Sequence, residues 1–251
     1  MKVSFIGTAG LVPGMGLKVT GKRGQLSMLI DQDYLMEVGD GALRNLNANC
    51  TDLNAIKRIL ISHVHSDHFI GIVHVLFAMM KVRNRKEPLE IVGPRGIEKA
   101  TRGLMSICEL PIADDEQRGY ELRFMELGIA DQFDDIRTVR GSHPTEIHAY
   151  RITRNGRSLF YNGESSYTKE VLDLGRGADL FIGTAVTLEP HLFHNTPGDV
   201  GRAATEAGVP RVAVVHWPTE YEGRREALAK LIKKQFKGEV IVPNDFTVVE
   251  V

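Results

Sequence analysis

Ser62-His63-Val64-His65-Ser66-Asp67-His68 places four potential metal ligands within six residues, directly after the apolar run Arg58–Ser62. A chain with nine histidines contains an HxHxDH pattern by chance with odds on the order of one in a thousand, so the segment reads as a metal site. A strand that ends in a loop can aim His63 and His65 to one side, and a turn can bring Asp67 and His68 to a point nearby. That arrangement favours two metal ions over one. Imidazole and carboxylate ligands suit zinc, and manganese or iron as well, and the sequence has no CxxC pair whose thiolates would narrow the choice.

Two ions need more ligands than this motif supplies, and His143, Glu164 and His216 fit the need. Each follows an expected strand, where an active-site loop leaves a sheet. His191, three residues before His194, is a candidate for the wall of the pocket. Other features have plainer readings. His74 lies on the helix after the motif and His148 alternates within a strand, so both read as structural. Lys81-Val82-Arg83-Asn84-Arg85-Lys86 reads as a solvated helix end, and Phe77, Met79 and Met80 read as core. The glycine-rich stretch Gly10–Gly16 shows no GxxxxGK[ST] and precedes no helix, which argues against a P-loop.

The elements that must position these residues alternate in the manner of an α/β or α+β chain. Strands are expected at Lys2–Ile6, Leu26–Ile30, Tyr34–Val38, Arg58–Ser62, Leu89–Val92, Leu122–Glu126 and Ile136–Val139. Helices are expected near Ala42–Asn49, Ile70–Arg83 and Gly96–Cys108. Asn155-Gly156 between Ile147–Thr153 and Ser158–Tyr161 predicts a two-residue hairpin, because type I′ turns need positive φ at both central positions. Strands Leu180–Gly183 and Arg211–Val215, helices Gly198–Ala207 and Arg224–Phe236, and strands near Val240 and Val248 complete the order. With no linker, low-complexity tract or repeat, residues 1–251 read as a single domain.

Composition excludes several classes. At 251 residues and 43% hydrophobic, the chain can bury an ample core. Thirty-one basic against 32 acidic residues give a formal charge of -1, which does not collect nucleic acid nonspecifically. Two cysteines are too few for a disulfide scaffold, so a cytoplasmic location is expected. The longest apolar runs are far shorter than the roughly 20 residues of a membrane span, and neither secretion nor a membrane anchor is expected.

Taken together, the motifs resemble the metallo-β-lactamase superfamily, and within it the ribonuclease Z branch. Phe5-Ile6-Gly7-Thr8 is similar to that family's opening strand and loop, Glu37-Val38-Gly39-Asp40-Gly41 to its DxGxG turn, and His63, His65, Asp67 and His68 to its signature. Gly93-Pro94-Arg95-Gly96, the spacing of His143 to Tyr150-Arg151-Ile152, the segment His194-Asn195-Thr196 and His216 extend the likeness along nearly the whole chain. The resemblance implies a four-layer αββα sandwich with the metals at one edge. It implies that His63, His65 and His143 hold one ion, that Asp67, His68 and His216 hold the other, and that residue 164 bridges them. Asp67 and His194 are then the expected catalytic residues. A water acidified by both cations attacks a phosphodiester as hydroxide, and His194 contacts the phosphate or protonates the leaving oxygen. A homodimer is also implied.

Three departures shape the reading. Glu164 stands where the family has aspartate, and an extra methylene can turn a bridge into a ligand of one ion, so the residues specify the first ion more fully than the second. Glu37 likewise replaces an aspartate and reads as the partner of a ligand histidine. Thr184 occupies a position where the branch carries an acidic residue, so it cannot hold a charge on His194. Finally, the interval in which the branch often inserts a tRNA-gripping arm contains only the Asn155-Gly156 hairpin. The chain therefore reads as an armless metal-dependent phosphodiesterase acting on a small phosphodiester or a nucleic-acid end. A true tRNA 3′ endonuclease, a lactone or thioester hydrolase of the same fold, and a non-catalytic metal-binding module are the rival readings.

Overall fold

The computed structural model describes residues 1–10, 23–109 and 115–251; most of the stretch Gly10–Gly16 therefore lies outside the described residues. The elements in chain order are β1 (Lys2–Gly7), β2 (Ser27–Ile30), β3 (Tyr34–Met36), α1 (Ala42–Ala48), β4 (Arg58–Leu60), α2 (Ser66–Phe69), α3 (Ile72–Lys81), β5 (Leu89–Gly93), α4 (Ile97–Ile107), α5 (Asp115–Arg118), β6 (Leu122–Glu126), β7 (Ala130–Phe133), β8 (Ile136–Arg140), β9 (His148–Arg154), β10 (Arg157–Tyr161), α6 (Lys169–Gly175), β11 (Leu180–Thr184), α7 (Pro197–Glu206), β12 (Arg211–Val215), α8 (Arg225–Lys233), β13 (Glu239–Ile241) and β14 (Val248–Glu250). Among the described residues, no helix is long and apolar enough to cross a membrane.

Two seven-stranded sheets form, in the orders β14-β1-β2-β3-β4-β5-β6 and β13-β12-β11-β10-β9-β8-β7. The strands nearest the middle are buried on both faces, which is why they read as continuous apolar runs. In β10 to β12, Leu159, Tyr161, Leu180, Ile182, Ala213 and Val215 point into the layer between the sheets, opposite Phe5, Met28, Met36 and Leu60. Their neighbours Phe160, Phe181, Val212 and Val214 point outward onto α6, α7 and α8. On the other side, Leu29, Leu35, Ile59 and Ile91 pack under α1, α3 and α4. This alternation, period two along each strand, produces the expected αββα order of layers. Strands β3, β4 and β5, and likewise β10, β11 and β12, run parallel, so several strands end at one edge, where open α/β sheets commonly bind ligands.

The Asn155-Gly156 hairpin is present, with φ of 51° and 71° and Arg154 paired with Arg157. Other expectations need correction. The helix expected over Ile70–Arg83 forms as α3 (Ile72–Lys81), and a separate short helix that was not expected, α2 (Ser66–Phe69), precedes it across Ile70 and Gly71. A Cβ at Gly71 would lie 2.2 Å from the carbonyl oxygen of Gly39, so only glycine lets the metal-motif loop pass this closely to the turn after β3. Phe77 is 38% exposed and does not belong to the core. Arg85, read as solvated, is buried and donates to the carbonyl oxygens of Leu53, Asn54, Glu87 and Pro88. Strand β7 and helix α6 were not anticipated. The first is a polar edge strand without an apolar signal. The second carries a capping signal: Thr168 caps it by accepting from the Val171 amide, with Glu170 in the first turn.

Candidate metal centre

The loop after β4 is fixed by backbone hydrogen bonds before any side chain is considered. Glu37 N donates to Leu60 O (2.9 Å), Val38 N to His68 O (2.7 Å) and His148 N to Ser62 O (3.0 Å). The Tyr150 hydroxyl donates to Ile61 O at 2.7 Å. The short helix α2 then brings the His68 ring to 4.3 Å from that of His63 and carries Asp67 to His216. From the second sheet, Glu164 arrives after β10, His194 from the loop after β11 and His216 directly after β12, where its amide donates to Thr8 O (2.9 Å).

Two donor sets result. His63, His65, His143 and Glu164 each offer one ligand atom within a mutual 4.8 Å, and Asp67, His68 and His216 do the same. The rings of His63 lie 4.6 Å from His65 and 4.9 Å from His143, and His68 stacks on His216 at 5.3 Å. Glu164 stands between the sets. Its Oε2 lies 3.1 Å from His68 Nε2 and 3.4 Å from His63 Nε2, and its Oε1 lies 3.3 Å from His194 Nδ1 and 3.7 Å from His216 Nε2. Asp67 Oδ2 is 2.9 Å from His216 Nε2.

Behind the donors, further groups orient the rings. Ser62 Oγ meets His63 Nδ1 at 3.0 Å, and Thr145 Oγ1 meets His143 Nδ1 at 3.1 Å. Glu37, fully buried, faces His68 Nδ1 at 3.5 Å. It accepts from the Tyr161 hydroxyl at 2.9 Å and from the Ser62 amide at 3.2 Å. Glu37, Glu164 and His216 all have positive φ (58°, 80° and 53°), a conformation that costs a non-glycine residue on the order of 1–3 kcal/mol and that clusters at functional sites. A Cβ at Gly10 would fall 1.9 Å from His216 Cε1, so Gly10 lies directly on that imidazole.

The electrostatics divide the histidines. Burial pushes His63 well below the ordinary imidazole range, with His68 adding to the effect, and pushes His143 down to about 4. Burial acts on His68 and His216 in the same sense but loses. Glu164 and Glu37 raise His68 well above its usual value, and Glu164 and Asp67 raise His216. Glu164 is itself held well below the carboxylate range, because His216, His194 and His68 outweigh its burial.

The residues fit divalent ions. Nε2 of His63, His68 and His143 is buried without an aligned hydrogen-bond partner, although such groups are normally satisfied. The donors are imidazoles and carboxylates with no thiolate, a set suited to zinc and its neighbours.

All seven expected ligands therefore come together, and His194, with a side chain 25% exposed, stands at the mouth beside Glu164. His191 stacks on His194 at 4.8 Å. His74 is exposed. His148 is buried in β9, facing Glu146 at 3.5 Å, and joins neither donor set. Thr184 holds no charge on His194; its hydroxyl and amide bond Asn162. Sequence reasoning missed Tyr161, Thr145 and the role of Gly10. Only Ser62, adjacent to the motif, carried a local signal.

The fold and the site define a four-layer sandwich with two histidine and carboxylate donor sets at one edge. The model of the beta-lactamase superfamily domain matches residues 36–217, and the chain belongs to that superfamily, as a metal-dependent hydrolase. It is similar to the ribonuclease Z of Methanosarcina acetivorans, 24% identical with 100% of this chain and 98% of the relative covered. It is also similar to that of Archaeoglobus fulgidus, again 24% identical over 100% and 97%. Both alignments run over 313 positions against the 251 residues here, so these relatives carry segments without a counterpart in this chain. Among solved structures, the metallo-beta-lactamase fold protein YhfI from Bacillus subtilis shares the fold with a TM-score of 0.79 at 22% identity, covering 99% and 98% of the two chains. The short form of human tRNase Z does so at 0.76 and 20%, covering 100% and 99%.

Proposed function

We propose that this protein is a metal-dependent phosphodiesterase. His63, His65 and His143 would hold one ion, Asp67, His68 and His216 a second, and Glu164 would serve both. Zinc is the proposed metal, because imidazole dominates the donor set. Divalent ions bound there supply Lewis acidity toward a phosphoryl oxygen and lower the pKa of a water. The chain's own residues do the rest. Ser62, Thr145 and Glu37 hold the imidazoles in their ligand orientation. Asp67, 2.9 Å from His216 Nε2, would hold the second ion together with that ring. His194, partly exposed beside Glu164, is placed to bind the scissile phosphate or to give a proton to the departing oxygen, the role of a positioned acid. The observation that carries this reading is the single carboxylate of Glu164 within 3.7 Å of histidines from both donor sets and of His194.

The relatives named ribonuclease Z support a phosphodiester rather than an acyl substrate, and they favour a second reading, cleavage at a tRNA 3′ end. The two-residue β9–β10 turn favours a smaller substrate. The test is hydrolysis of bis(p-nitrophenyl) phosphate by zinc- and manganese-loaded protein, with His63→Ala as the blank. Metal-dependent turnover abolished in the blank supports the proposal, and none above the blank on metal-loaded protein refutes it. Release of a 3′ trailer from pre-tRNA at catalytic enzyme concentration would favour the second reading. The homodimer implied by the resemblance belongs to the same proposal, and light scattering tests it.

A further inference from the structure

Beside His194, the loop between β11 and α7 and the outer face of α7 leave a cleft of about 340 Å³, bordered by Tyr167, His191, Leu192, His194, Arg202 and Glu206. His194 links it to the metal-ligand cluster. Its ring lies 5.6 Å from His143 on one side, and on the other it stacks on His191 at 4.8 Å with 22° between the planes. Next to His191, the Leu192 side chain is 77% exposed, and the Leu192 carbonyl is tied down by a 3.0 Å hydrogen bond from Ser166 Oγ. The Tyr167 hydroxyl is buried without a hydrogen-bond partner, a group that free energy favours pairing.

Size and charge select what fits. The volume is at the lower end of the range of about 300–1,000 Å³ for small-molecule sites, room for one nucleoside and not for a longer strand. The Arg202 guanidinium already pairs with Asp199, and Glu206 adds a second carboxylate, so two acids meet one base. Such a wall does not attract another phosphate. Aromatic faces, an exposed aliphatic side chain and hydrogen-bonding edges suit a neutral, planar, polar ring instead.

We propose that this cleft binds the nucleoside of a phosphodiester whose scissile phosphate lies at the metal-ligand cluster, with the base stacked on His191. The inference rests on the phosphodiesterase reading and adds the substrate class. Calorimetric titration of the zinc-loaded protein with thymidine 5′-monophosphate and with methyl phosphate tests it, because the two ligands share the phosphate and differ by the nucleoside. The expected preference for the nucleotide is at least about tenfold, within the contribution of one base–aromatic stack. His191→Ala should bring the ratio toward one. Taking the ratio cancels any change that the variant makes at the phosphate. Equal affinities, or a preference that survives His191→Ala, would overturn the proposal. Turnover of bis(p-nitrophenyl) phosphate without a nucleotide preference removes the cleft and leaves the phosphodiesterase reading standing. Nucleotide preference without turnover supports the cleft and removes that reading.

Discussion

Tyr161→Phe isolates the chain of contacts that runs from the core to His68, one of the proposed metal ligands. The Tyr161 hydroxyl is fully buried between the sheets and donates to Glu37 Oε1 at 2.9 Å; the same oxygen lies 3.5 Å from His68 Nδ1. Burial and the neighbouring Glu37 carboxylate push the Tyr161 phenol well above its usual range, so it remains a donor at any working pH. Phenylalanine preserves the ring and removes one hydrogen bond to a charged group, worth about 1.5–3 kcal/mol. Tyr150→Phe is the matched control. That hydroxyl is equally buried but donates to a neutral acceptor, Ile61 O, at 2.7 Å, for an expected loss of about 0.5–1.5 kcal/mol. If Glu37 orients His68, Tyr161→Phe should also weaken zinc binding by about 10–100-fold, or about 1.4–2.7 kcal/mol. Tyr150→Phe should leave zinc affinity within about threefold. Urea unfolding of metal-free protein measures the first quantity, and competition with a chromophoric chelator measures the second. Equal zinc affinities in the two variants would refute the orienting role, whatever their stabilities.

Three further outcomes follow from the geometry. Gly10→Ala places a methyl group 1.9 Å from His216 Cε1, so the ring must move; elemental analysis of zinc-loaded protein should find less metal than in the parent chain, and an undiminished content at full affinity would contradict the packing. Arg85→Ala removes four hydrogen bonds to backbone carbonyls and should cost about 2–4 kcal/mol in urea unfolding with zinc content unchanged. Burial lowers the His148 pKa, against the pull of Glu146, so as pH falls below about 6.5 the unfolded chain takes up a proton that the folded one resists. This contribution to stability is lost as pH falls, and His148→Gln should flatten the fall of metal-free stability between about pH 6.5 and 5; an unchanged slope would exclude it.

How far the fold could be read depended on what each strand touches. Strands in the middle of a sheet are apolar on both faces, and Leu180–Thr184 or Arg211–Val215 stand out against any background. Strand β7, with the sequence Ala-Asp-Gln-Phe at a sheet edge and half exposed, carries no such pattern because it buries little. Arg85 shows the opposite failure. In a run of lysines and arginines it looks solvated, and only the return of 53–54 and 87–88 around it supplies the carbonyls that make burial tolerable.

The site was legible where ligands cluster in sequence and opaque where the fold supplies the partners. His63, His65, Asp67 and His68 sit within six residues, whereas Tyr161 reaches Glu37 across 124 positions and Asp67 reaches His216 across 149. Backbone strain was hidden for a related reason. Glu37, Glu164 and His216 adopt left-handed conformations that a sequence advertises only when glycine occupies them. In each case the neighbouring geometry requires the side chain itself. Glu37 must face His68, Glu164 must stand between the two donor sets, and His216 must meet Asp67 while its amide bonds Thr8. A glycine would relieve the strain and remove the donor, so the fold carries a cost of order 1–3 kcal/mol at each position. Replacing Glu37 by glycine would relieve that strain but also leave the Tyr161 hydroxyl and the Ser62 amide without their acceptor, a loss of the same order or larger, so the metal-free protein should gain no stability from the change while its hold on zinc weakens.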